Sequence, residues 1–147
     1  MELTLSDFNH SLDIQIRFND VDGYRHVNNS IVQEYYDLGR MAYLIDVLKF
    51  DYKHVDNESL VIVSIKTDFI QPVYINDQIK VYTKVYQIGE KSIRMIQWLV
   101  KKEDKAPSVT CDSVLSGFDP IKETSILITE KWKKMMLDFE KNILIKK

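Results

Sequence analysis

Residues 30–49 carry a helical pattern of apolar side chains that extends to nearly every side of the helix. The stripe at helical spacing is formed by Ile31, Tyr35, Leu38, Ala42 and Ile45, and it is widened by Val32, Tyr36 and Tyr43. Ser30 followed by Gln33 fits a capping box, which predicts that the helix begins near Asn29 or Ser30. The charge of Lys49 suits a helix C-terminus and predicts the end there. Such a helix has to be covered by the rest of the chain.

Five other segments alternate between apolar and polar residues, a pattern that is typical of strands covered on one face. They are residues 14–18 before the helix and residues 61–69, 79–86, 93–100 and 109–115 after it. Polar turns separate the last four at hairpin spacing, so we expect those strands to be antiparallel neighbours. A second amphipathic helix, capped by Thr129, has its apolar stripe on Trp132, Met136, Phe139 and Ile143.

The order of one strand, a long helix, four strands and a last helix predicts an α+β fold. Because a flat sheet cannot cover a single long helix, we expect the sheet to curl around it. The outer face of the sheet is also partly apolar through Tyr82, Tyr86, Ile96 and Trp98, which predicts contact with a second subunit. The length of 147 residues fits one domain, residues 1–147, with room for a core that needs no staples.

The composition excludes several classes of protein. The net charge of −2 gives no basic field for nucleic acid, and the one cysteine, Cys111, excludes a disulfide framework or a cysteine-rich zinc site. The longest apolar run is too short to span a membrane, and the N-terminus lacks the pattern of a secretory signal, so a cytoplasmic protein is expected. Cys111 alternates with apolar positions and is predicted in the core, whereas His10 and His54 are predicted at the surface. The lysine-rich residues 131–147 have the pattern of a solvated helix face.

Residues 17–29 join the first predicted strand to the long helix and concentrate the groups that can do chemistry. The segment reads RFNDVDGYRHVNN and contains the carboxylates of Asp20 and Asp22, the imidazole of His26 and the amides of Asn28 and Asn29. A helix N-terminus offers free N–H groups and positive potential, which polarise a carbonyl and stabilise an oxyanion. A neighbouring carboxylate can attack that carbonyl or deprotonate a water that does. These groups suffice to hydrolyse an activated acyl compound.

Two other interpretations of this segment stay open from the residues alone. The acidic and amide side chains fit the ordinary needs of a turn and a helix cap, a role in which Asp and Asn are common. Alternatively, Asp20, Asp22 and His26 could hold a metal ion, although no further cluster of ligands accompanies them in the sequence.

The same residues resemble the signature of hotdog-fold acyl thioesterases of the 4-hydroxybenzoyl-CoA thioesterase family. RFNDVDGYRHVNN followed by a long helix matches that signature, and residues 69–79, FIQPVYINDQI, resemble the family's second motif. The resemblance covers roughly residues 10–119. It implies a hotdog fold, in which a curled antiparallel β-sheet wraps around a long central α-helix, here with a C-terminal helix. It also implies a homodimer or a dimer of dimers, with active sites at the dimer interface.

The resemblance assigns the catalytic carboxylate to Asp22, with His26 as a second catalytic residue. The substrate-binding residues that it implies are Tyr24, Asn28, Asn29 and Ser30. The implied reaction is hydrolysis of an acyl-CoA or acyl-ACP thioester, without a metal or other cofactor, because coenzyme A is part of the substrate. The sequence departs from the family's motif at two positions, and both departures bear on the identity of the substrate. Tyr24 replaces the Asn of acyl-carrier-protein thioesterases, and Arg25 replaces the glycine that usually precedes the histidine. The alternative is a non-catalytic hotdog protein that binds or senses acyl ligands.

Overall fold

A computed structural model gives the structure of residues 2–54 and 56–146. Its strands are β1 (His10–Ile14), β2 (Ser59–Phe69), β3 (Ile79–Ile88), β4 (Ser92–Lys101), β5 (Val109–Asp119), β6 (Thr124–Ser125) and β7 (Leu144–Ile145). The α-helices are α1 (Asn29–Asp46) and α2 (Glu130–Phe139), and two 3₁₀ turns occupy Leu5–Asp7 and Phe18–Asp20. No helix in this described part is long and apolar enough to cross a membrane.

The five longer strands form one antiparallel sheet in the order β1-β3-β4-β5-β2. The register shifts once between Ile62 and Ser64 in β2 and once between Val85 and Gln87 in β3, and such bulges bend a sheet. The concave face packs on α1 through two buried clusters, one around Tyr43 and one around Tyr36. The α+β fold predicted from the sequence is therefore confirmed.

Helix α1 begins at Asn29, as predicted, and ends at Asp46, three residues before the predicted end at Lys49. Lys49 has a left-handed φ of 60° and donates from Nζ to the Asp46 carbonyl at 2.6 Å, so it binds the end of the helix from outside. The predicted capping box is wrong because Gln33 donates its side-chain amide to Thr67 on β2 at 2.8 Å. The side chain of the N-cap residue, Asn28, makes no capping hydrogen bond.

Only one side of α1 is covered by the chain itself. Tyr36 and Tyr43 are fully buried against the sheet, whereas Leu38, Met41 and Ile45 on the other side are 44%, 41% and 40% exposed. The sequence predicted that protein covers the helix on nearly every side. Within the single chain, only one side of the helix is covered. The exposed side is apolar enough to be a contact surface for another molecule.

The first strand lies four residues earlier than the predicted span of residues 14–18. Its partner β3 begins at Ile79, which pairs with Ile14, so the antiparallel ladder cannot continue past Ile14. Phe18, predicted on the buried side, is 83% exposed. His10 is correspondingly buried inside β1 and not at the surface, and its Nε2 lies 2.8 Å from Oδ2 of Asp46 at the end of α1.

The outer face of the sheet is partly covered by the N-terminal segment of the same chain. The ring of Phe8 is 8% exposed and lies 5.9 Å from the ring of Tyr82 and 5.0 Å from that of Trp98. Tyr86 donates to both carboxylate oxygens of Asp112, at 2.9 and 2.8 Å. Three of the four residues that predicted a second subunit on this face, Tyr82, Tyr86 and Trp98, thus already make contacts within the chain.

The core cysteine and the start of the C-terminal helix are where the sequence predicted them, but the helix ends at Phe139, so Ile143 of the predicted stripe lies beyond it. Thr129 caps α2 and accepts from the Trp132 N–H at 3.1 Å, and Trp132 and Met136 face the core. Lys133 and Lys134 form ion pairs within α2, with Glu130 at 3.3 Å and Asp138 at 2.8 Å, as expected for a solvated face. Cys111 is fully buried, and burial raises the pKa of its thiol, which is unfavourable for a nucleophile.

Candidate active site

The loop before α1 is a short hairpin that ends at the N-cap of the helix. Its ladder runs from the Asn28 N–H, which donates to the Asp20 carbonyl at 2.9 Å, through the bridge between Val21 and Val27. It ends where the Asp22 N–H donates to the His26 carbonyl at 2.8 Å. Asp22 is thus two residue pairs from the helix start, or about 7 Å along the hairpin.

The carboxylate of Asp22 shapes the turn with one oxygen and keeps the other free. Its Oδ1 accepts from the backbone N–H groups of Tyr24 at 2.8 Å and His26 at 3.1 Å. Its Oδ2 has no hydrogen-bond partner among residues 2–54 and 56–146, and the residue is exposed. The turn interpretation is therefore correct for one oxygen, and the other oxygen is available to water or substrate.

Asp20, the other carboxylate of the pair, is a structural residue. It is 1% exposed, and its Oδ2 accepts from the hydroxyl of Tyr35 on α1 and from the backbone N–H of Arg17. Burial by itself raises the pKa of Asp20, but the hydrogen bonds from Tyr35 and Arg17 lower that pKa below its ordinary value. Asp20 therefore stays charged while it ties the loop to the helix.

The start of α1 presents two unused donors. The Ile31 and Val32 N–H groups both donate to the Asn28 carbonyl, and the Asn28 N–H is taken by Asp20. The N–H groups of Asn29 and Ser30 have no acceptor in the described residues. Of the backbone N–H groups of Asn28, Asn29 and Ser30, which the resemblance assigns to substrate binding, those of Asn29 and Ser30 are therefore free.

The second motif lies directly against the first. The Val27 N–H donates to the Val73 carbonyl at 2.8 Å, and His26 forms a bridge with Tyr74. The half-buried His26 ring stands edge-on to the Tyr74 ring, with the ring centres 4.8 Å apart. His26 thus contacts Asp22 through its backbone and Tyr74 through its ring, so its side chain is held beside the hairpin.

The two residues at the tip of the hairpin point outward. Tyr24 is 82% exposed, so any contact of its ring with substrate involves the open surface. Arg25, which stands where the family has glycine, adopts a left-handed φ of 65°. That conformation costs about 1 kcal/mol or more for a residue with a Cβ, and it places an extra cation beside Asp22.

Two cavities border the hairpin. One, of about 230 Å³, lies at the helix start and is lined by His26 and Asn29 together with apolar residues from the second motif, among them Phe69, Ile70 and Pro72. The other, of about 510 Å³, is lined by Asp22, Arg25 and Ile75 with neighbouring loop residues. The single chain therefore joins Asp22 and His26 by backbone bonds but places them on different cavities.

Among the described residues, Asp20, Asp22 and His26, the candidate metal ligands, do not form one cluster. The carboxylate of Asp20 is directed to Tyr35 and Arg17, away from Asp22 and His26. In the part of the chain that the structure describes, no three His, Cys, Asp or Glu side chains come together to hold a metal ion.

A curled antiparallel sheet that packs its concave face on one central helix is the architecture of the hotdog fold. The profile of the Thioesterase-like superfamily matches residues 16–129, and the chain belongs to this superfamily. The family resemblance seen in the sequence is confirmed. No curated protein sequence matches the chain.

Solved structures show the same fold. The PA5185 protein from Pseudomonas aeruginosa superposes with a TM-score of 0.85 at 19% identity, covering 95% of this chain and 97% of that chain. A thioesterase from Thermus thermophilus, complexed with coenzyme A and Zn, gives 0.80 at 20% identity, with 92% and 98% covered. A 1,4-dihydroxy-2-naphthoyl-CoA thioesterase from Synechocystis gives 0.77 at 13% identity, with 88% and 96% covered. At these identities the likeness establishes the hotdog fold.

Some residues at the site are absent from the sequence-based prediction. Tyr74 contacts the His26 ring, and Tyr35 donates to Asp20, although the sequence placed Tyr35 only in the apolar stripe of the helix. Phe69 and Ile70 line the smaller cavity. The second motif carried the available signal, because its aromatic and proline residues lie at this cavity.

Proposed function

We propose that the chain is an acyl-CoA thioesterase that hydrolyses a thioester to a free acid and a thiol. The observation that carries the proposal is the Asp22 carboxylate, which has one free oxygen and lies about 7 Å along the hairpin from the helix start, where the N–H groups of Asn29 and Ser30 are free. Membership of the superfamily supports thioester hydrolysis as the reaction class. The coenzyme A complex of the Thermus thermophilus thioesterase supports CoA as the carrier of the acyl group.

In the proposed reaction the substrate carbonyl oxygen lies at the N–H groups of Asn29 and Ser30, which stabilise its developing negative charge. Asp22 acts as base or as nucleophile. As a base it takes a proton from water, the hydroxide bonds to the carbonyl carbon, and the C–S bond breaks as the departing thiolate takes that proton. As a nucleophile it displaces the thiolate to form an anhydride, which water hydrolyses. A thioester is already activated, so the reaction uses no metal or other cofactor.

The remaining predicted residues take positioning roles in this proposal. His26 forms one wall of the 230 Å³ cavity at the helix start, which would hold the acyl group against Phe69 and Pro72. Asn28 fixes the hairpin to the helix through its bond to Asp20. Tyr24, at the exposed tip, would contact the part of the substrate outside the cavity.

We also propose that the active protein is a homodimer, or a dimer of such dimers. Strand β2 is an edge of the sheet, and Ile62, Val63 and Ile65 on it are 39%, 60% and 43% exposed. An exposed apolar edge strand is a template for pairing with a second chain. Such pairing would also cover Phe69 and the apolar side of α1. A cytoplasmic location is part of the same proposal and rests on the composition alone.

Light scattering on a sizing column tests the dimer. We expect a dimeric or tetrameric mass at micromolar concentration, and a lower mass for Val63→Lys because a charge on the edge opposes pairing. The control variant is Lys66→Glu, which changes an exposed residue of the same strand. Val61→Lys is not suitable as a control, because Val61 is half-buried. A monomeric wild-type protein that is fully active would contradict the dimer.

The reaction itself is tested by thiol release from a panel of short, long and aromatic acyl-CoA esters and one acyl-ACP. We expect turnover of at least one ester, and its loss in Asp22→Asn. The panel also identifies the acyl group and decides between CoA and carrier protein.

A second function is favoured by one observation. Asp22 and Asn29 line different cavities in the single chain, as they would if the site only bound an acyl ligand. The same panel decides between the two functions. Tight binding of acyl-CoA without any thiol release would establish the non-catalytic binding protein.

A further inference from the structure

Asp22 is followed by a glycine, and Asp22–Gly23 is the one Asp-Gly pair in the sequence. The carboxyl carbon of an aspartate can react with the peptide nitrogen of the next residue, because the attack closes a five-membered ring. A side chain on that next residue hinders the attack, whereas glycine has no Cβ to obstruct it. Three features of the hairpin favour this reaction at Asp22.

The first feature is the open surroundings of the pair. Asp22 and Gly23 are both exposed. A Cβ built on Gly23 would meet nothing within 4 Å, and the φ of Gly23 is not in the left-handed region. The turn therefore requires no glycine at this position for its shape, and water reaches the atoms that would react.

The second feature is the free nitrogen of Gly23. Its N–H has no hydrogen-bond partner in the part of the chain that the structure describes. The other N–H groups of the turn are all bonded, those of Asp22, Tyr24, Arg25 and His26. The Gly23 nitrogen is therefore the one nitrogen of this turn that can react without first breaking a hydrogen bond of the hairpin.

The third feature is the position of the Asp22 carboxyl group. Its Oδ1 accepts from the Tyr24 N–H at 2.8 Å, which makes an Asx turn. An Asx turn folds the side chain back along the peptide that joins Asp22 to Gly23, so Cγ lies beside the bond that carries the reacting nitrogen. The second donor on Oδ1, the His26 N–H at 3.1 Å, helps to hold it there. Oδ2 has no such bond and can leave.

We propose that Asp22 isomerises spontaneously to isoaspartate through a succinimide formed with Gly23. The Gly23 nitrogen bonds to Cγ and loses its proton, and the hydroxyl of the protonated carboxyl group leaves with that proton as water. A second water then opens the ring. Opening at Cγ restores aspartate, and opening at the α-carbonyl leaves a main chain that runs through Cβ and Cγ. The two steps release and consume one water each, and no atom is oxidised or reduced.

The product differs from the native residue at the candidate active site itself. The main chain becomes one carbon longer at residue 22, and the free carboxylate is attached directly to Cα. The α-carbonyl of Asp22, which accepts from the Arg25 N–H at 3.0 Å in the native turn, is no longer part of the main chain. Isomerised molecules should therefore be inactive. This consequence rests on the proposed function, whereas the isomerisation does not.

The test follows the purified protein during incubation at physiological temperature in water labelled with heavy oxygen. Peptide mapping by mass spectrometry should show isoaspartate and heavy oxygen accumulating at residue 22, while thioester hydrolysis falls at the same rate. Asp51 is the internal control, because its Oδ1 accepts from the Lys53 N–H at 2.9 Å in the same kind of turn, but Tyr52 follows it. Asp51 should stay unmodified.

The matched variant is Gly23→Ala, whose Cβ fits the open space. It should form isoaspartate several-fold more slowly than the wild type and keep its activity correspondingly longer. Absence of isoaspartate at residue 22 of the wild type, or an equal rate in Gly23→Ala, would overturn the proposal. Isoaspartate at residue 22 in a protein that keeps full turnover, or that never had any, would support the modification and contradict the proposed function.

Asp22→Asn provides a second test, because asparagine closes the same ring with ammonia as the leaving group. Hydrolysis of that succinimide yields aspartate in a fraction of the molecules. A fresh preparation of Asp22→Asn should therefore start with low kcat and regain part of the wild-type turnover on incubation, as aspartate appears at residue 22 in the peptide map. The double variant D22N/G23A should gain aspartate several-fold more slowly. Equal rates in the two variants would contradict attack by the Gly23 nitrogen.

Discussion

The hydroxyl of Tyr35 on α1 donates to the buried carboxylate of Asp20 in the loop before it. The same carboxylate accepts from the backbone and the guanidinium of Arg17. The hairpin that carries Asp22 is therefore anchored to the helix by a charged group that substrate cannot reach. Asp20 therefore fixes the position of Asp22, the second carboxylate of the pair.

Asp20→Asn is expected to destabilise the protein by about 1–3 kcal/mol, because an amide cannot accept all the hydrogen bonds that the carboxylate accepts. The folded-state pKa of Asp20 is lowered, so its charge stabilises the fold above the unfolded pKa near 3.8 and this contribution is lost as the pH falls through the folded pKa. Urea unfolding at several pH values measures both effects. A difference from wild type that grows toward acidic pH would contradict the assignment.

Asp22→Asn is expected to lower kcat by about 10²–10⁴ with little change in stability. Asparagine keeps the oxygen that accepts from the Tyr24 and His26 N–H groups but removes the basic, negatively charged oxygen. The matched control is Asp51→Asn, because Asp51 accepts from the Lys53 N–H at 2.9 Å in the same kind of turn. Kinetics and thermal melts of both variants decide the outcome. Full turnover in Asp22→Asn would leave Asp22 with a turn role only.

Arg25→Gly is expected to raise the free energy of unfolding by about 0.5–1 kcal/mol, because glycine adopts the left-handed φ of 65° without strain. Arg25→Ala removes the same cation but keeps the strain, so the pair separates charge from conformation. If the cation contacts the substrate, both variants raise KM for acyl-CoA by a similar factor. Equal stability of the two variants would show that the backbone at this position carries no strain.

The hairpin and the helix start were predictable because their signals are local. Asp and Asn at a turn, followed by a long apolar stripe, place a helix N-terminus near Asn29 whatever the rest of the chain does. The position of β1 was not predictable, because His10, Leu12 and Ile14 alternate in the same phase as Ile14, Ile16 and Phe18. Only the pairing of Ile14 with Ile79 decides between the two spans.

A surface cleft of about 1010 Å³ beside the ends of β1 and β3 was not predictable, because its lining comes from separate parts of the chain. Leu5, Ile14, Ile75 and Lys102 are far apart in sequence and meet only after the sheet has formed. The same limit applies to His10, whose polar neighbours in sequence indicated the surface, whereas its strand position puts it against α1. Local sequence patterns therefore predict the secondary structure of a residue more reliably than they predict its tertiary contacts.

Gly39→Ala is expected to destabilise the protein, although alanine is the better helix former by about 1 kcal/mol. A Cβ at Gly39 would lie 2.5 Å from Cγ1 of Val81 on β3, and overpacking of this kind costs about 1–3 kcal/mol. Gly23→Ala is the control, because a Cβ there meets nothing within 4 Å. Chemical unfolding of Gly39→Ala with and without Val81→Ala tests the cause. Failure of Val81→Ala to recover any stability in the Gly39→Ala background would exclude this contact as the reason.

The buried carboxylate of Glu140 leads to a prediction of how stability depends on pH, because only one of its two oxygens is hydrogen-bonded. Its Oε2 accepts from the Tyr43 hydroxyl at 2.8 Å and the Val85 N–H at 2.7 Å, while Oε1 lies 3.8 Å from Nζ of Lys84 and has no hydrogen bond within the described residues. Burial raises the pKa of Glu140, and the hydrogen bonds and the charges of Lys84 and His10 offset only part of that rise. The protonated form is therefore favoured by folding.

A raised folded-state pKa contributes stability that is fully present below the unfolded pKa near 4.5 and is lost as the pH rises through the folded pKa. The free energy of unfolding of the wild type, minus that of Glu140→Gln, should therefore decrease as the pH rises from below the unfolded pKa near 4.5 through the raised folded-state pKa. Glu130→Gln, an exposed change at the start of α2, controls for removing a carboxylate, because Glu140 follows the other end of that helix. Denaturant melts across this range measure the difference. A difference that increases with pH would mean that Lys84 and His10 outweigh burial and that Glu140 is held in its charged form.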